Sequence, residues 1–409
     1  MRLLLKLGWR NLWRNKRRSV ITILAVTFAV MLSIVMRGIQ LGTYEVNIRH
    51  VVDLFTGHVQ IQAPGYQDSP SLRKSFAMSR EMQAILAEDP RIVAFAPRVL
   101  GDGLVSFRQN SQGALLFGID PQAERKVSSI ESRVVQGAFI DTLSSSGVLL
   151  GTTLLENLNA RIGDEIVVLA QGFDGSLGNL KFSVAGVVKT GMLEIDRSAA
   201  FMHIDAARDL LLMYGRVTMI AVRLEDLQSI EPVEETLSAQ LAPLNLDALT
   251  WSEVMPGLQQ GIEMDNVSGI LTLAILVIVV AFGITNTVLM SITERFREFG
   301  IVLSVGMAPR MLVGIVLLET AIMVTIGIII GNILAYGVNT YLVANPIVFE
   351  GEFGKIYEEY GFLPRIESTV QLKSFLNNTL SILGVSILAA IYPVLKVARL
   401  EPLKGIRYT

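Results

Sequence analysis

The chain has 409 residues, of which 51% are apolar and 18% charged, with a formal net charge of −2 and no cysteine. That is too apolar for an ordinary soluble enzyme and carries no overall field that would favour nucleic acid. It also excludes a disulfide framework or a thiol nucleophile. In chain order, residues 1–18 (MRLLLKLGWRNLWRNKRR) combine Leu5, Trp9, Leu12 and Trp13 with a basic remainder. They predict either an amphipathic helix on the cytoplasmic membrane surface or a plain basic anchor, and the helical spacing of the apolar residues favours the first. Residues 19–40 begin with SVITILAVTFAVMLSIVM, and eighteen helical residues rise about 27 Å, close to the hydrocarbon thickness of about 30 Å. The run is too long for a signal-peptide core and no small-residue cleavage site follows, so it predicts a retained first span.

Residues 41–266 predict a large α/β domain carried on helical stalks. Ile34, Leu41, Ile48 and Phe55 recur every seven residues, a seam that leaves the membrane. On the return side Val254, Leu258, Ile262 and Val267 form a second apolar line, with Pro256-Gly257 placed to bend it. The two stalks touch each other or a second subunit; the alternative is an ordinary domain helix after a span. Between them, short strands are expected at Val93–Pro97 and Leu104–Phe107 around a Gly101-Asp102-Gly103 turn, then at Ala114–Ile119, Glu165–Ala170, Phe182–Lys189, Ala199–Ile204 and Val217–Arg223. Helices are expected at Ser79–Glu88, Thr153–Asn159, after an Asp205 cap, and at Glu231–Leu241.

Further spans are predicted at 267–290, 312–343 and 374–395, with a cytoplasmic linker at 291–311, an outer loop at 344–373 and a cytoplasmic tail at 396–409. Arg2, Lys6, Arg10, Arg14, Lys16, Arg17 and Arg18 precede the first span, Arg295, Arg297 and Arg310 lie in the linker, and Lys396, Arg399, Lys404 and Arg407 lie in the tail. The positive-inside rule therefore puts both termini and the linker in the cytoplasm. Gly327, Gly331 and Ala335 make a small-residue stripe for close helix packing, within or between subunits. Glu319 stands about 13 Å into the third span. It reads as an intersubunit, gating or protonatable group, or as a carboxylate bonded to a neighbouring helix or reaching the headgroups. Phe353, Tyr357 and Tyr360 in the outer loop read as an interfacial anchor or a substrate gate.

No G-x-x-x-x-G-K-[ST], H-E-x-x-H, G-x-S-x-G or S-x-x-K signature occurs, and His50, His58 and His203 lack metal-ligand spacing. The chain is expected to have no catalytic residue, no metal and no bound cofactor. The sharpest local sequence is Thr293–Arg310 (TERFREFGIVLSVGMAPR), a charged stretch, then Gly300, apolar residues and Gly306. An amphipathic segment there would offer a knob to a cytoplasmic partner.

Arg297-Glu298-Phe299-Gly300-Ile301 followed by Ser304-Val305-Gly306-Met307 resembles the R-E-I-G-I…G-A/M linker of MacB-type ABC-transporter permeases, a family that includes the lipoprotein-releasing LolC/LolE subunits and FtsX. The opening Trp9–Arg18 resembles the family's R-N-L…R-x-K-R stretch. Tyr392-Pro393…Ala398–Leu403…Arg407-Tyr408 resembles its P…A-x-x-x-P-x-x-x-L-R-Y tail, with Ile406 replacing leucine. The order of one span, a large outer domain and three spans is also the family's. Gly118-Ile119-Asp120-Pro121 and Gly163-Asp164 resemble the LolC/LolE branch, but Gly172–Asn179 (GFDGSLGN) stands where LolC carries a proline-containing hook that recruits a periplasmic carrier.

The resemblance implies a dimer of permeases, with a second copy or a paralogue, in a bacterial inner membrane. A separate cytoplasmic ATPase would bind the ATP and Mg. Glu294, Arg297, Glu298, Gly300, Ile301, Ser304 and Gly306 would couple to that ATPase, and Ile34, Leu41, Ile48, Phe55, Leu258 and Ile262 would transmit motion outward. The expected work is extraction or export of a lipoprotein or other amphipathic substrate, with or without a periplasmic carrier. The alternative is an FtsX-like regulator that signals ATPase state to an outer enzyme and moves nothing.

Overall fold

The computed structural model describes residues 10, 12, 14, 16–140, 146–359 and 362–398. Most of the expected surface helix at 1–18, Tyr360, and the tail motif from Arg399 onward lie outside the described residues. Two compact units are present: Met1–Tyr44 with Ile262–Ile347 and Ile366–Thr409, and Glu45–Gly261 with Val348–Arg365.

Helix α1 (Lys16–Val51) belongs to both units and ends in a π-helical turn, Val52–Thr56. The extra residue of a π turn shifts the helical phase, so the heptad seam stops before Phe55. Ile34 is buried, Leu41 and Ile48 are half-buried, and the buried line past the first unit moves to Asn47, Val51 and Leu54. Phe55 leaves the seam and packs edge-on against Phe117, with ring centroids 5.0 Å apart.

The outer unit is built on a ten-stranded sheet. Its strands are β1 (Val59–Gln62), β2 (Ile92–Phe107), β3 (Asn110–Ile119), β4 (Val134–Gly137), β5 (Gly147–Gly151), β6 (Glu165–Gln171), β7 (Leu177–Val188), β8 (Ala199–His203), β9 (Met219–Leu224) and β10 (Asp247–Thr250). The order is β10-β1-β9-β2-β3-β8-β5-β7-β4, with β6 bridging β7 back to β2. That bridge closes β2-β3-β8-β5-β7-β6 into a ring. Its inward residues alternate as a pleat requires: Val105 and Phe107 from β2, Ala114 and Leu116 from β3, Ile166 and Val168 from β6, Phe182 and Val184 from β7, all in one apolar core.

Several local expectations are corrected. The Gly101-Asp102-Gly103 turn does not exist, because β2 runs unbroken through it. A Cβ on Gly101 would lie 2.9 Å from Leu211 Cδ1, and one on Gly103 would lie 2.7 Å from the Leu169 carbonyl. These glycines mark close approach of a helix and a strand, not a reversal. The Gly172–Asn179 stretch holds only a tight hairpin in which Gly175 adopts φ +89°, and β7 begins at Leu177. The helix after β8, α3 (Ile204–Leu211), is capped by His203, whose Nδ1 accepts from the Asp205 amide at 3.2 Å, and not by Asp205. The return stalk is interrupted just before Pro256-Gly257, where the sequence allowed a bend. A turn at Trp251–Val254 ends at Met255 and α4 (Pro256–Glu294) begins at the proline, which has no N–H to leave unpaired there. Helix α2 (Pro121–Val127) and the strands β4, β5 and β10 had no distinct signal; Asp120 caps α2 by accepting from Gln122 N and Ala123 N.

In the first unit, α1 and α4 are joined by α5 (Phe296–Ser304), α6 (Pro309–Ala344) and α7 (Leu372–Ala398). The helices α1, α4, α6 and α7 are each long and apolar enough to cross a membrane. The small-residue stripe of α6 packs within the chain. Cβ atoms built on Gly327 and Gly331 would lie 2.8 and 2.7 Å from the Cβ atoms of Val26 and Val30, and Ala335 is fully buried. Glycine lets the two backbones approach, and Thr27 Oγ1 donates to the Gly327 carbonyl at 3.2 Å.

Candidate functional site

Arg295 caps the short helix α5, and Gly306 at φ +98° closes it, with Gly306 N donating to Leu303 O and Met307 N to Val302 O. Glycine is needed there because the left-handed conformation strains any side chain. Pro309 then starts α6. Phe299 points inward to the apolar cluster that holds Ile292 and Leu312, and Gly300 is buried beside it. Glu294, Arg297, Glu298, Ser304 and Gly306 are exposed, and Ile301 and Val305 expose 49% and 83% of their surface. Gly300, expected among the residues that couple to the ATPase, lies on the buried face of α5 with Phe299. Val305, which sequence reasoning did not single out, completes an outer stripe with Glu298 and Ile301 at helical spacing. The hydroxyl of Ser304 is turned to its own helix and donates to the Gly300 carbonyl at 2.8 Å.

Behind α5 lies a charged network. Arg14 Nη2 donates to both oxygens of Glu298, at 3.0 and 2.9 Å, with both side chains half exposed. Arg18 is nearly buried and donates to Glu294 at 3.1 Å and to Glu319 at 3.1 Å. Arg295 donates to the other oxygen of Glu319 at 3.3 Å and to Glu298 at 3.3 Å, and stacks over the Phe299 ring at 5.0 Å. Glu319 is thus held between the start of α1 and the start of α5, each of its oxygens facing one guanidinium. The bonding to neighbouring helices that was one of the expectations for this residue is present. Burial raises the carboxyl pKa of Glu298, but the Arg14 and Arg295 guanidiniums outweigh it and hold it below its ordinary value.

Farther along α1 a second polar clamp joins it to α4. Tyr44 Oη donates to Asp265 Oδ2 at 2.5 Å, Gln40 Nε2 to the same carboxylate at 2.9 Å, and Arg37 Nη1 to Asn266 Oδ1 at 2.8 Å. Leu258 and Ile262 of α4 are buried. Nothing in the sequence marked Asp265 or Asn266, since one acid before a span is ordinary. No cluster of three or more metal-ligating side chains occurs among the described residues.

The family model for the MacB-like periplasmic core domain matches residues 19–240, and that for the FtsX-like permease C-terminal region matches 270–402. The chain belongs to the MacB/FtsX-type family of ABC-transporter permeases. This permease is 24% identical over 422 residues to the lipoprotein-releasing system transmembrane protein LolC of Neisseria meningitidis, covering 98% of each chain. It is 25% identical to the LolC of Xylella fastidiosa, again over 98% of each. The lipoprotein-releasing protein LolE of Haemophilus influenzae is 20% identical over 97% of each. The periplasmic region of MacB from Actinobacillus actinomycetemcomitans covers 53% of the permease and 98% of its own chain at 17% identity and a TM-score of 0.36. The permease is a multi-pass membrane protein with four spans and an α/β outer domain.

Proposed function

We propose that this permease receives force from a separate cytoplasmic ATPase at α5 and delivers it through α1 and α4 to the outer domain. There it would extract a lipoprotein or similar lipid-anchored substrate from the outer leaflet of a bacterial inner membrane. The observation that carries this reading is the continuity of α1. Its first turns hold the charged network behind α5, and the same unbroken helix runs to Val51 within the outer unit. A helix resists bending over such lengths far better than a loop, so displacement at one end reaches the other. The stripe Glu298, Ile301 and Val305 offers an apolar knob beside a carboxylate, suited to a groove on the ATPase, which would bind the ATP and Mg. The basic residues around α5 and before α1 support a cytoplasmic position for both termini. The names of its full-length relatives support the substrate class, and a second permease, identical or paralogous, would complete the assembly.

The test is reconstitution of the permease with its ATPase in vesicles holding a lipid-anchored reporter protein. ATP-dependent loss of the reporter from the vesicles is expected, with no hydrolysis by the permease alone. Stimulated hydrolysis without reporter release, together with activation of an added cell-wall hydrolase, would replace extraction with the regulatory alternative.

A further inference from the structure

The outer end of α1 carries a buried ion pair that neither the coupling helix nor the membrane explains. Arg98 of β2 is fully buried and Glu124 of α2 is 1% exposed. Nε and Nη2 of the arginine donate to the two oxygens of Glu124 at 3.1 and 2.5 Å, a fork-on-fork pair. The remaining nitrogen, Nη1, donates to the carbonyl of Phe55 in the π turn that ends α1, and the guanidinium stacks over the Phe55 ring at 4.9 Å. The Arg98 carbonyl in turn accepts from Thr218 N at 3.0 Å.

Other contacts surround the same helix end. Asn47 Oδ1 accepts from Leu363 N at 2.8 Å. His50 meets the Thr190 carbonyl with one ring nitrogen at 3.0 Å and Arg133 Nη2 with the other at 3.2 Å. The Asp53 carbonyl accepts from Ser129 N at 2.7 Å, and His58 N donates to Val222 O at 2.8 Å. The last turns of the helix are held from several sides by the domain they enter.

Stability alone is a weak reason for such a pair. Burying two charges is costly, and apolar residues of similar volume often serve as well or better. What a paired, planar guanidinium offers and apolar packing does not is direction: three fixed bonds that tie a helix carbonyl, a sheet strand and a second helix in one geometry. We propose that Arg98 and Glu124 are positioning residues that lock the end of α1 to the outer sheet, so that movement of the helix carries the domain with it. This rests on the reading that α1 transmits force.

The chain has no cysteine, so labels can be placed at will. Arg49 of α1 and Lys126 of α2 are both exposed. Arg49→Cys and Lys126→Cys would carry spin labels across the joint in the full-length protein in lipid nanodiscs. A narrow distance distribution is expected, unchanged when the ATPase and ATP are added. In the same labelled protein, Arg98→Met with Glu124→Met keeps an apolar, filled interior but removes the directed bonds. The distribution is expected to broaden, with stimulated ATP hydrolysis retained and reporter release lost. Arg98→Lys keeps the charge opposite Glu124 without the fork and is expected to fall between the two. It also serves should the double variant fail to fold. A distribution as narrow in both variants as in the parent would overturn the lock. Broadening with undiminished release would equally overturn it. The distance measurement needs no substrate, so a parent permease that released nothing would defeat the extraction reading while leaving this measurement decisive for the joint.

Discussion

Glu319→Ala tests the charged network behind α5 most directly. The carboxylate is 4% exposed and faces Arg18 and Arg295, which are 12% and 11% exposed. Removing one member of a buried pair leaves charge uncompensated and costs about 3–5 kcal/mol. Here each arginine keeps a second partner, Arg18 with Glu294 at 3.1 Å and Arg295 with Glu298 at 3.3 Å. The low end, about 3 kcal/mol, is therefore the expectation. Glu298→Gln provides the contrast, since Glu298 and Arg14 are both 50% exposed and such pairs contribute about 1 kcal/mol or less. Reversible denaturation in mixed micelles measures both, and a double-mutant cycle of Glu319→Ala with Arg18→Ala isolates the pair. A coupling of about 1–3 kcal/mol is expected for groups in one network. If Glu319→Ala costs no more than Glu298→Gln, the carboxylate is not anchored between the two helices and the network does not tie α1 to α5.

Four further outcomes follow from particular contacts. Glu298→Lys reverses charge on an exposed helix face, so stability should change by about 1 kcal/mol or less, while co-purification of the ATPase and its stimulated hydrolysis fall; normal recovery of the ATPase would count against docking at α5. Ile48→Pro removes a backbone hydrogen bond inside α1 and kinks it at a cost of about 3 kcal/mol or more, so hydrolysis should continue while reporter release fails, and retention of both would mean that the helix bears no force. Gly331→Val drives a side chain into Val30 and the Thr27 carbonyl, 2.7 and 2.8 Å from the added Cβ, and should lower stability in the same micelle assay by about 1–3 kcal/mol.

His58 gives a pH signature. Burial pushes its imidazole below 6.5, and Asp53 offsets only part of that; its Nδ1 accepts from Leu224 N at 3.3 Å. The unfolded chain takes up the proton first, so this contribution is present above about pH 6.5 and is lost as the pH falls below it. His58→Asn keeps an acceptor and should flatten the fall of the unfolding midpoint between about pH 7 and 5.

The membrane spans and the short helix α5 between two of them were legible in the sequence because their causes are local. An apolar run of span length must leave water whatever surrounds it, and a Gly306 in the left-handed conformation or a Pro309 at a helix start acts within a few residues. The alternation of apolar residues likewise located strands at Glu165–Ala170 and Ala114–Ile119, which the structure extends to Glu165–Gln171 and Asn110–Ile119. Contacts between distant segments were not legible. Gly101 and Gly103 carry the composition of a turn, and only the approach of Leu211 and the Leu169 carbonyl explains why they sit inside a strand. The partners of Glu319 lie 301 and 24 residues away, and Glu124 lies 26 residues from Arg98. Each of these residues alone resembles any surface charge. What makes them a network or a joint is burial, which the sheet register and helix packing create, and which turns a weak solvated attraction into a directed constraint. The sequence by itself therefore determined which segments are apolar and long enough to cross the membrane and where a short helix stands between two of them. The tertiary structure decided what holds α1 at its two ends, because that depends on groups that meet only after the chain has folded.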